Sequence, residues 1–119
     1  MNTRKLGADK EESAVKFLEK QGMRIAERNF RIRQGEIDII GYHDNYLVFV
    51  EVKFRSTGKQ GNATEAVNLR KQQKICRVAD YYRYRNRIPE TVGVRYDVIA
   101  IQGEEIRWIR NAFPHIYSY

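Results

Sequence analysis

Residues 35–53 read GEIDIIGYHDNYLVFVEVK, and this pattern predicts two strands joined by a short turn. In the first strand Glu36 and Asp38 alternate with Ile37 and Ile39, so we expect the two acidic side chains on one face and the isoleucines on the other. After a polar HDN turn, the run YLVFV is apolar at every position. Such a run is typical of a strand that is covered on both faces of a sheet.

An acid and a base follow this apolar strand. Glu51 and Lys53 are two residues apart, so they share a face with Leu47 and Phe49. Burying either charge without a partner costs several kcal/mol, so this placement indicates a specific role. If the two strands pair, Asp38 converges with Glu51 and Lys53 at one place.

These residue types predict a particular chemistry. Two carboxylates and nearby oxygen atoms suit Mg²⁺, or Mn²⁺ in its place, because these ions prefer oxygen ligands. A neighbouring ammonium group suits the charge that develops on a scissile phosphate, or the positioning of an attacking water. The pattern therefore favours metal-dependent phosphodiester hydrolysis. A solvated hairpin end with a Glu/Lys pair is the alternative that spacing alone leaves open.

A helix is predicted over residues 3–21, where apolar residues recur at helical spacing and Gly22 provides a stop. Glu11 lies on the apolar stripe of this helix. It is either a third carboxylate aimed at the hairpin or a charge that complements the helix dipole, and both interpretations stay open. The arginine-rich residues 23–32 then predict an edge strand.

Residues 54–62 contain two glycines, two cations and no apolar periodicity. We expect a mobile loop that contacts substrate through Arg55 and Lys59. A second helix is predicted to begin at Asn62, with a capping box formed by Glu65, and to run to about Arg87.

One lysine interrupts the apolar stripe of the second helix. Lys71 lies one turn from apolar residues on both sides, so it either extends its ammonium group to solvent or serves a site. Arg70, Lys74 and Arg77 share another face, followed by Tyr81, Tyr84 and Arg85. Basic residues between aromatic ones fit contacts with nucleic-acid phosphates and bases, and an ordinary solvated helix face is the alternative.

The remaining sequence predicts a closing hairpin with strands over 94–101 and 105–110, in which Asp97 is structural. Cys76, the single cysteine, is expected in or near the core and excludes an internal disulfide.

With 119 residues, we expect one domain. The sequence contains no membrane-length apolar run and begins without the pattern of a signal peptide, so we expect a cytoplasmic protein that does not enter a membrane. The net charge of +7 favours a polyanionic partner, with DNA the first choice and RNA the second.

The predicted order, αβββαβ with a further C-terminal strand, indicates an α/β fold with a mixed central sheet flanked by helices. Several motifs carry a more specific resemblance, over residues 7–101. They are Gly7 with Glu11 and Ala14, Arg28-Asn29-Phe30-Arg31, Gly35-Glu36-Ile37-Asp38-Ile39-Ile40, Phe49-Val50-Glu51-Val52-Lys53-Phe54-Arg55, and Ala66-Val67 followed by Lys71. With these motifs the chain resembles the YraN family of small bacterial proteins, which are similar to Holliday-junction resolvases and to the PD-(D/E)xK restriction-endonuclease-like superfamily.

The resemblance implies a restriction-endonuclease-like fold and roles for individual residues. It implies that Asp38 and Glu51 are metal ligands, with the carbonyl of Val52 as a third, and that Lys53 is the catalytic lysine. Glu11 matches the first-helix acid of resolvase-like proteins and is a further ligand candidate. Glu36 and Lys71 also match family positions. Lys10 stands where the family usually has Gly.

Three functions are consistent with these observations. The first is a magnesium-dependent nuclease that acts on DNA, including branched or processed DNA, and cutting of junctions would favour a symmetric homodimer. The second is a catalytically silent module that binds DNA or RNA. The third, a ribosome-associated basic protein, is supported by charge and size alone.

Overall fold

The computed structural model describes residues 3–55 and 67–117, with side chains from residue 9 onward and without that of Arg55. The elements are α1 (Thr3–Lys20), β1 (Arg24–Ile32), β2 (Gly35–His43), β3 (Tyr46–Arg55), α2 (Leu69–Arg85), β4 (Gly93–Gln102) and β5 (Glu105–Ile109). This is the α/β order predicted from the sequence. Neither described helix is long and apolar enough to cross a membrane.

The strands form one mixed sheet in the order β1-β2-β3-β4-β5. Neighbouring strands are antiparallel except β3 and β4, which are parallel along their whole length. A parallel pair needs a crossover connection, and α2 lies within it. β1 is an edge strand with mostly exposed side chains, as its arginines predict.

A separate core lies on each face of the sheet, as expected for the doubly apolar β3. Phe49 packs with Ile75, Val78 and other residues of α2. Its neighbours Val48 and Val50 pack on the other face with residues of α1. Because successive strand residues point to opposite faces, β3 is buried on both sides and Glu51 continues the row that faces α2.

The predicted boundaries around α2 are partly wrong. α2 begins at Leu69, and Asn68 is its N-cap, with a side-chain oxygen 2.9 Å from the backbone nitrogen of Lys71. A continuous helix from Asn62 is therefore excluded, although residues 56–66 themselves lie outside the described residues. The predicted loop also begins too early, because parallel pairing with β4 extends β3 as far as Arg55.

A buried polar network lies on the face of the sheet opposite Glu51. The Asp97 carboxylate accepts hydrogen bonds from Arg95 Nε (2.9 Å), Trp108 Nε1 (2.8 Å) and the Asn111 backbone (2.9 Å). This agrees with the structural role expected for Asp97. His43, predicted to lie in the turn, instead ends β2, is 7% exposed and has Nδ1 3.1 Å from Arg95.

Candidate functional site

The predicted alternation in β2 breaks at Asp38. Ile37 packs in the core beneath α2 whereas Ile39 packs in the core beneath α1, so the two isoleucines do not share a face. Ile37 and Ile39 pair with Phe30 and Arg28 of β1. The residue between these two partners, Asn29, has a left-handed φ of 54°. The ladder between β2 and β3 includes Ile39 but not Asp38. This departure from regular pairing frees the Asp38 carboxylate to reach across to β3.

Asp38 contacts the end of β3 directly. Its Oδ2 accepts a hydrogen bond from the backbone nitrogen of Val52 at 2.8 Å. Burial, the charge of Glu51 and a hydrogen bond with the Glu51 carboxyl raise the pKa of Asp38 to about 8. The predicted convergence of Asp38 and Glu51 is thus confirmed, and the two form a carboxyl pair in which Glu51 is buried and Asp38 is partly buried.

Glu51 is 8% exposed and lies on the face that packs against α2. Its Oε2 is 3.7 Å from Nζ of Lys71, which enters the site from the first turn of α2. The Lys71 side chain is 41% exposed as well as in contact with Glu51, so both interpretations describe part of its position and its service to the site stays a prediction. The N-cap at Asn68 fixes the turn that carries this lysine.

Lys53 is half-buried on the same face of β3 as Glu51. Within the described residues its ammonium group forms no hydrogen bond or ion pair. A half-buried charge without a partner is costly, so its position is not explained by local stability. Among the described residues it is a cation near the carboxyl pair that has no partner.

Glu11 lies near this pair, and it is held by β1. Its carboxylate is 3.8 Å from Arg28 and hydrogen-bonded to Asn29. Burial and the charge of Asp38 raise the pKa of Glu11. Nevertheless, the described residues contain no group of three His, Cys, Asp or Glu side chains arranged to hold one metal ion. The structure therefore does not bring Glu11 into a shared ligand set with Asp38 and Glu51.

Glu36 also lies outside the pair. Arg31 donates hydrogen bonds from Nε (3.0 Å) and Nη2 (2.8 Å) to Oε2 of Glu36, on the exposed side of β1 and β2. Its charge contributes to the raised pKa of Asp38 and Glu11. Glu36 therefore adds negative potential to the site without contacting it.

The basic residues predicted to bind nucleic acid lie mainly on α2, on the face of the sheet that carries Glu51. This helix contains six Lys or Arg residues and one Asp. Arg70, Lys74 and Arg77 are exposed, as predicted. The side chain of Arg55 and all of Lys59 lie outside the described residues. The positive charge of α2 thus adjoins the carboxyl pair.

The donor set fits a hard divalent cation. Mg²⁺ is commonly held by one or two carboxylates and retains several waters, so Asp38 and Glu51 with the carbonyl of Val52 would suffice. Burial and the charge of Glu51 raise the pKa of Asp38, so without a cation the pair tends to retain a proton that a bound divalent ion would displace. Lys71 is a partial substitute, 41% exposed and 3.7 Å away.

Two contributors were not identified as site residues from the sequence. Arg28 joins α1 to β1 through Glu12 (2.9 Å) and Glu11, and Asn29 supplies both the left-handed backbone and a hydrogen bond to Glu11. Both belong to the motif Arg28-Asn29-Phe30-Arg31. Asparagine adopts positive φ more readily than most residues, and this was the one available physical signal.

Comparison with known proteins assigns the chain to a family. The sequence model of the uncharacterised protein family UPF0102 matches residues 10–101. The chain belongs to this family. A UPF0102 protein of Lachnoclostridium phytofermentans is 46% identical over 113 residues, which cover 95% of this chain and 96% of the relative. UPF0102 proteins of Caldicellulosiruptor saccharolyticus (42%; 95% and 100% covered) and Shewanella baltica (41%; 91% and 98%) are similar over most of both chains.

The UPF0102 match includes the complete site described above, from Glu11 on α1 to Lys71 on α2. It is the YraN-like family to which the sequence motifs point. The similarity covers nearly the whole length of these relatives, so each of them is about the size of this chain.

Proposed function

We propose that this UPF0102 protein is a divalent-metal-dependent nuclease that acts on DNA phosphodiesters. The observation that carries the proposal is the carboxyl pair of the buried Glu51 and the partly buried Asp38. On the same face of β3 as Glu51, the ammonium group of Lys53 has no partner within the described residues. Two adjacent carboxyl groups, with an ammonium group on the same face of β3 as Glu51, are the groups that metal-dependent phosphodiester hydrolysis requires.

Asp38, Glu51 and the Val52 carbonyl would hold the ion, Mg²⁺ or Mn²⁺. Such an ion, when bound, polarises a phosphoryl oxygen and lowers the pKa of a coordinated water. The backbone of Val52 orients the Asp38 carboxylate through its 2.8 Å hydrogen bond before any ligand arrives. Lys71, 3.7 Å from the Glu51 carboxylate, supplies part of the positive charge that the bound ion would replace.

Lys53 has no competing partner among the described residues, so its charge is available to the substrate. We assign it two tasks: it stabilises negative charge that develops on the scissile phosphate, and it positions the attacking water. A lysine carries a compact charge on a flexible stem. Its ammonium group is therefore able to follow the phosphate as negative charge develops in the transition state.

The basic residues of α2 would bind the phosphates that flank the scissile one. Arg70, Lys74 and Arg77 lie in a row along the exposed side of the helix. Contacts of this kind provide affinity without sequence preference and weaken as salt rises. Cleavage and binding therefore depend on different residues, and each is open to a separate test.

The proposal is tested by incubating labelled single-stranded, duplex and four-way-junction DNA with the protein and Mg²⁺ or Mn²⁺. Glu51→Gln keeps the shape of the side chain but removes its charge, and Glu19→Gln, on the exposed surface of α1, is the matched control. We expect cutting by the wild type and by Glu19→Gln, and loss of cutting with retained binding in Glu51→Gln. Equal cutting by all three proteins would reject the assignment.

A second candidate is a nucleic-acid-binding module without catalysis. The concentration of six basic residues on α2 favours it independently of the carboxyl pair. Under this alternative, wild type and Glu51→Gln bind DNA or RNA equally, no substrate is cut with either ion, and added Mn²⁺ does not stabilise the wild type more than Glu51→Gln.

A further inference from the structure

A depression at the C-terminal end of α2 is not used by the carboxyl pair. Its volume is about 630 Å³, and its lining includes two acidic residues, Asp80 and Glu90. An exposed aromatic residue and three arginines line most of the remainder: Arg83, Tyr84, Arg85 and Arg87.

Tyr84 is the most unusual residue of this depression. It is 82% exposed, and neither its ring nor its hydroxyl forms a ring contact or hydrogen bond with another described side chain. The neighbouring aromatic residues behave differently, since Tyr82 is buried in the core and Tyr81 stacks on Phe30 at 6.4 Å. One ring at the rim is thus left open on its faces, with an arginine on either side of it in the sequence.

The positive charge here is only partly neutralised. Arg83 is 3.6 Å from Asp80, which also lies 3.3 Å from His115, and the Nε of Arg83 is buried without an acceptor among the described residues. Arg85 and Arg87 form no ion pair within residues 3–55 and 67–117. Cations at a helix C-terminus complement the helix dipole, which accounts for Arg83 and Arg85. The dipole gives no reason for an exposed tyrosine between them.

We propose that this depression is a subsite for an unpaired nucleotide, in which a base stacks on Tyr84 and phosphates pair with Arg85 and Arg87. Base stacking on an exposed aromatic ring, combined with nearby guanidinium groups, is the usual basis for binding single strands. In a duplex the bases are stacked on each other and do not offer a free face. The occupant is therefore a single-stranded segment of nucleic acid.

The position of the subsite limits the substrate. Tyr84 follows Lys71 by thirteen residues on one helix, which corresponds to about 20 Å at 1.5 Å per residue. At a stacked spacing of 3.4 Å this axial distance spans about six nucleotides. Thirteen residues at 3.6 per turn place the two side chains on different sides of the helix, so the path between them is longer than the axial distance. Resting on the proposed nuclease function, the inference is that the substrate carries an unpaired segment at least about six nucleotides from the cleaved phosphodiester.

The test measures binding alone, in EDTA, so that catalysis does not enter. Fluorescence anisotropy with a 12-nucleotide single strand and a 12-base-pair duplex compares wild type, Tyr84→Ala and Tyr84→Phe. Arg85→Ala is paired with Arg107→Ala, an exposed arginine on the edge strand β5. We expect Tyr84→Ala to weaken single-strand binding about 5- to 150-fold and to leave duplex binding unchanged, and Tyr84→Phe to match the wild type.

The expected result for Arg85→Ala is weaker binding with a shallower dependence on salt, while Arg107→Ala behaves as the wild type. Unchanged single-strand affinity in Tyr84→Ala would overturn the inference, and so would an equal loss for single strand and duplex. A wild type that binds in this Tyr84-dependent way but cuts nothing would reject the nuclease and keep the subsite. A wild type that binds no nucleic acid would reject both.

Discussion

Replacing Asp38 with asparagine should change how the stability of the metal-free protein depends on pH. The pKa of Asp38 is raised from 3.8 to about 8 in the folded chain. Between these values the folded protein retains a proton that the unfolded chain has released. Stability is therefore greatest below the lower value and falls as pH rises towards the upper one. The amide introduced by Asp38→Asn resembles the protonated acid in shape but has no proton that titrates in this range.

The expected size follows from one proton per molecule. One bound proton changes the free energy of unfolding by about 1.4 kcal/mol per pH unit, so the wild type should lose about 3 kcal/mol relative to Asp38→Asn between pH 5 and pH 7. Burial and the charge of Asp38 raise the pKa of Glu11. Asp38→Asn removes the second cause, so the Glu11 contribution is smaller in the variant and adds to the difference with the same sign.

The assay is urea unfolding at intervals from pH 5 to pH 8 in EDTA, repeated with Mn²⁺. Without metal, the two proteins should be similar in stability near pH 5, and Asp38→Asn should become the more stable at neutral pH. Mn²⁺ at a hundred times its dissociation constant should stabilise the wild type by about 2.7 kcal/mol and the variant much less. A difference in stability that stays constant across this pH range would refute a raised pKa at Asp38.

Three further substitutions test separate parts of the structure. Lys53→Met should reduce cleavage about 10²- to 10³-fold while DNA affinity, measured by anisotropy, stays unchanged; strongly reduced affinity would show that this lysine serves binding instead. Lys71→Met removes a cation that competes with Mn²⁺ for the carboxyl pair. The affinity for Mn²⁺, measured by calorimetry, should therefore rise up to about fivefold. Lys74→Met is the matched control and should leave this affinity unchanged. Asp97→Asn leaves the buried Arg95 without its counter-charge and should destabilise the protein by about 3–5 kcal/mol in urea unfolding, whereas a loss under about 1 kcal/mol would contradict the role assigned to that network.

The sheet and its two cores could be predicted because the pattern of β3 is unambiguous. Five consecutive apolar residues require cover on both faces, and the row that contains Phe49 then determines the side on which Glu51 lies. The predicted meeting of Asp38 and Glu51 followed from pairing of the two strands. The turn was also signalled, since Asp44 and Asn45 both adopt positive φ, as in a two-residue hairpin turn.

The errors came from tertiary contacts that leave no periodic signal. Asn62 and Glu65 have the spacing of a capping box, but Asn68 caps the helix, and local spacing does not decide between two asparagines. Strict alternation placed Ile37 with Ile39, whereas a left-handed Asn29 on the partner strand interrupts regular pairing. His43 looked like a turn residue because nothing in its neighbourhood reveals Arg95, which lies 52 positions away.

The most direct test of the central claim is binding of Mn²⁺ to the purified protein, followed by electron paramagnetic resonance in the wild type, Glu51→Gln and Glu19→Gln. A cation site between Asp38 and Glu51 predicts one Mn²⁺ per chain in the wild type and in Glu19→Gln, displaced by excess Mg²⁺, and loss of that binding in Glu51→Gln. Equal Mn²⁺ binding by all three proteins, or none by the wild type, would contradict the account.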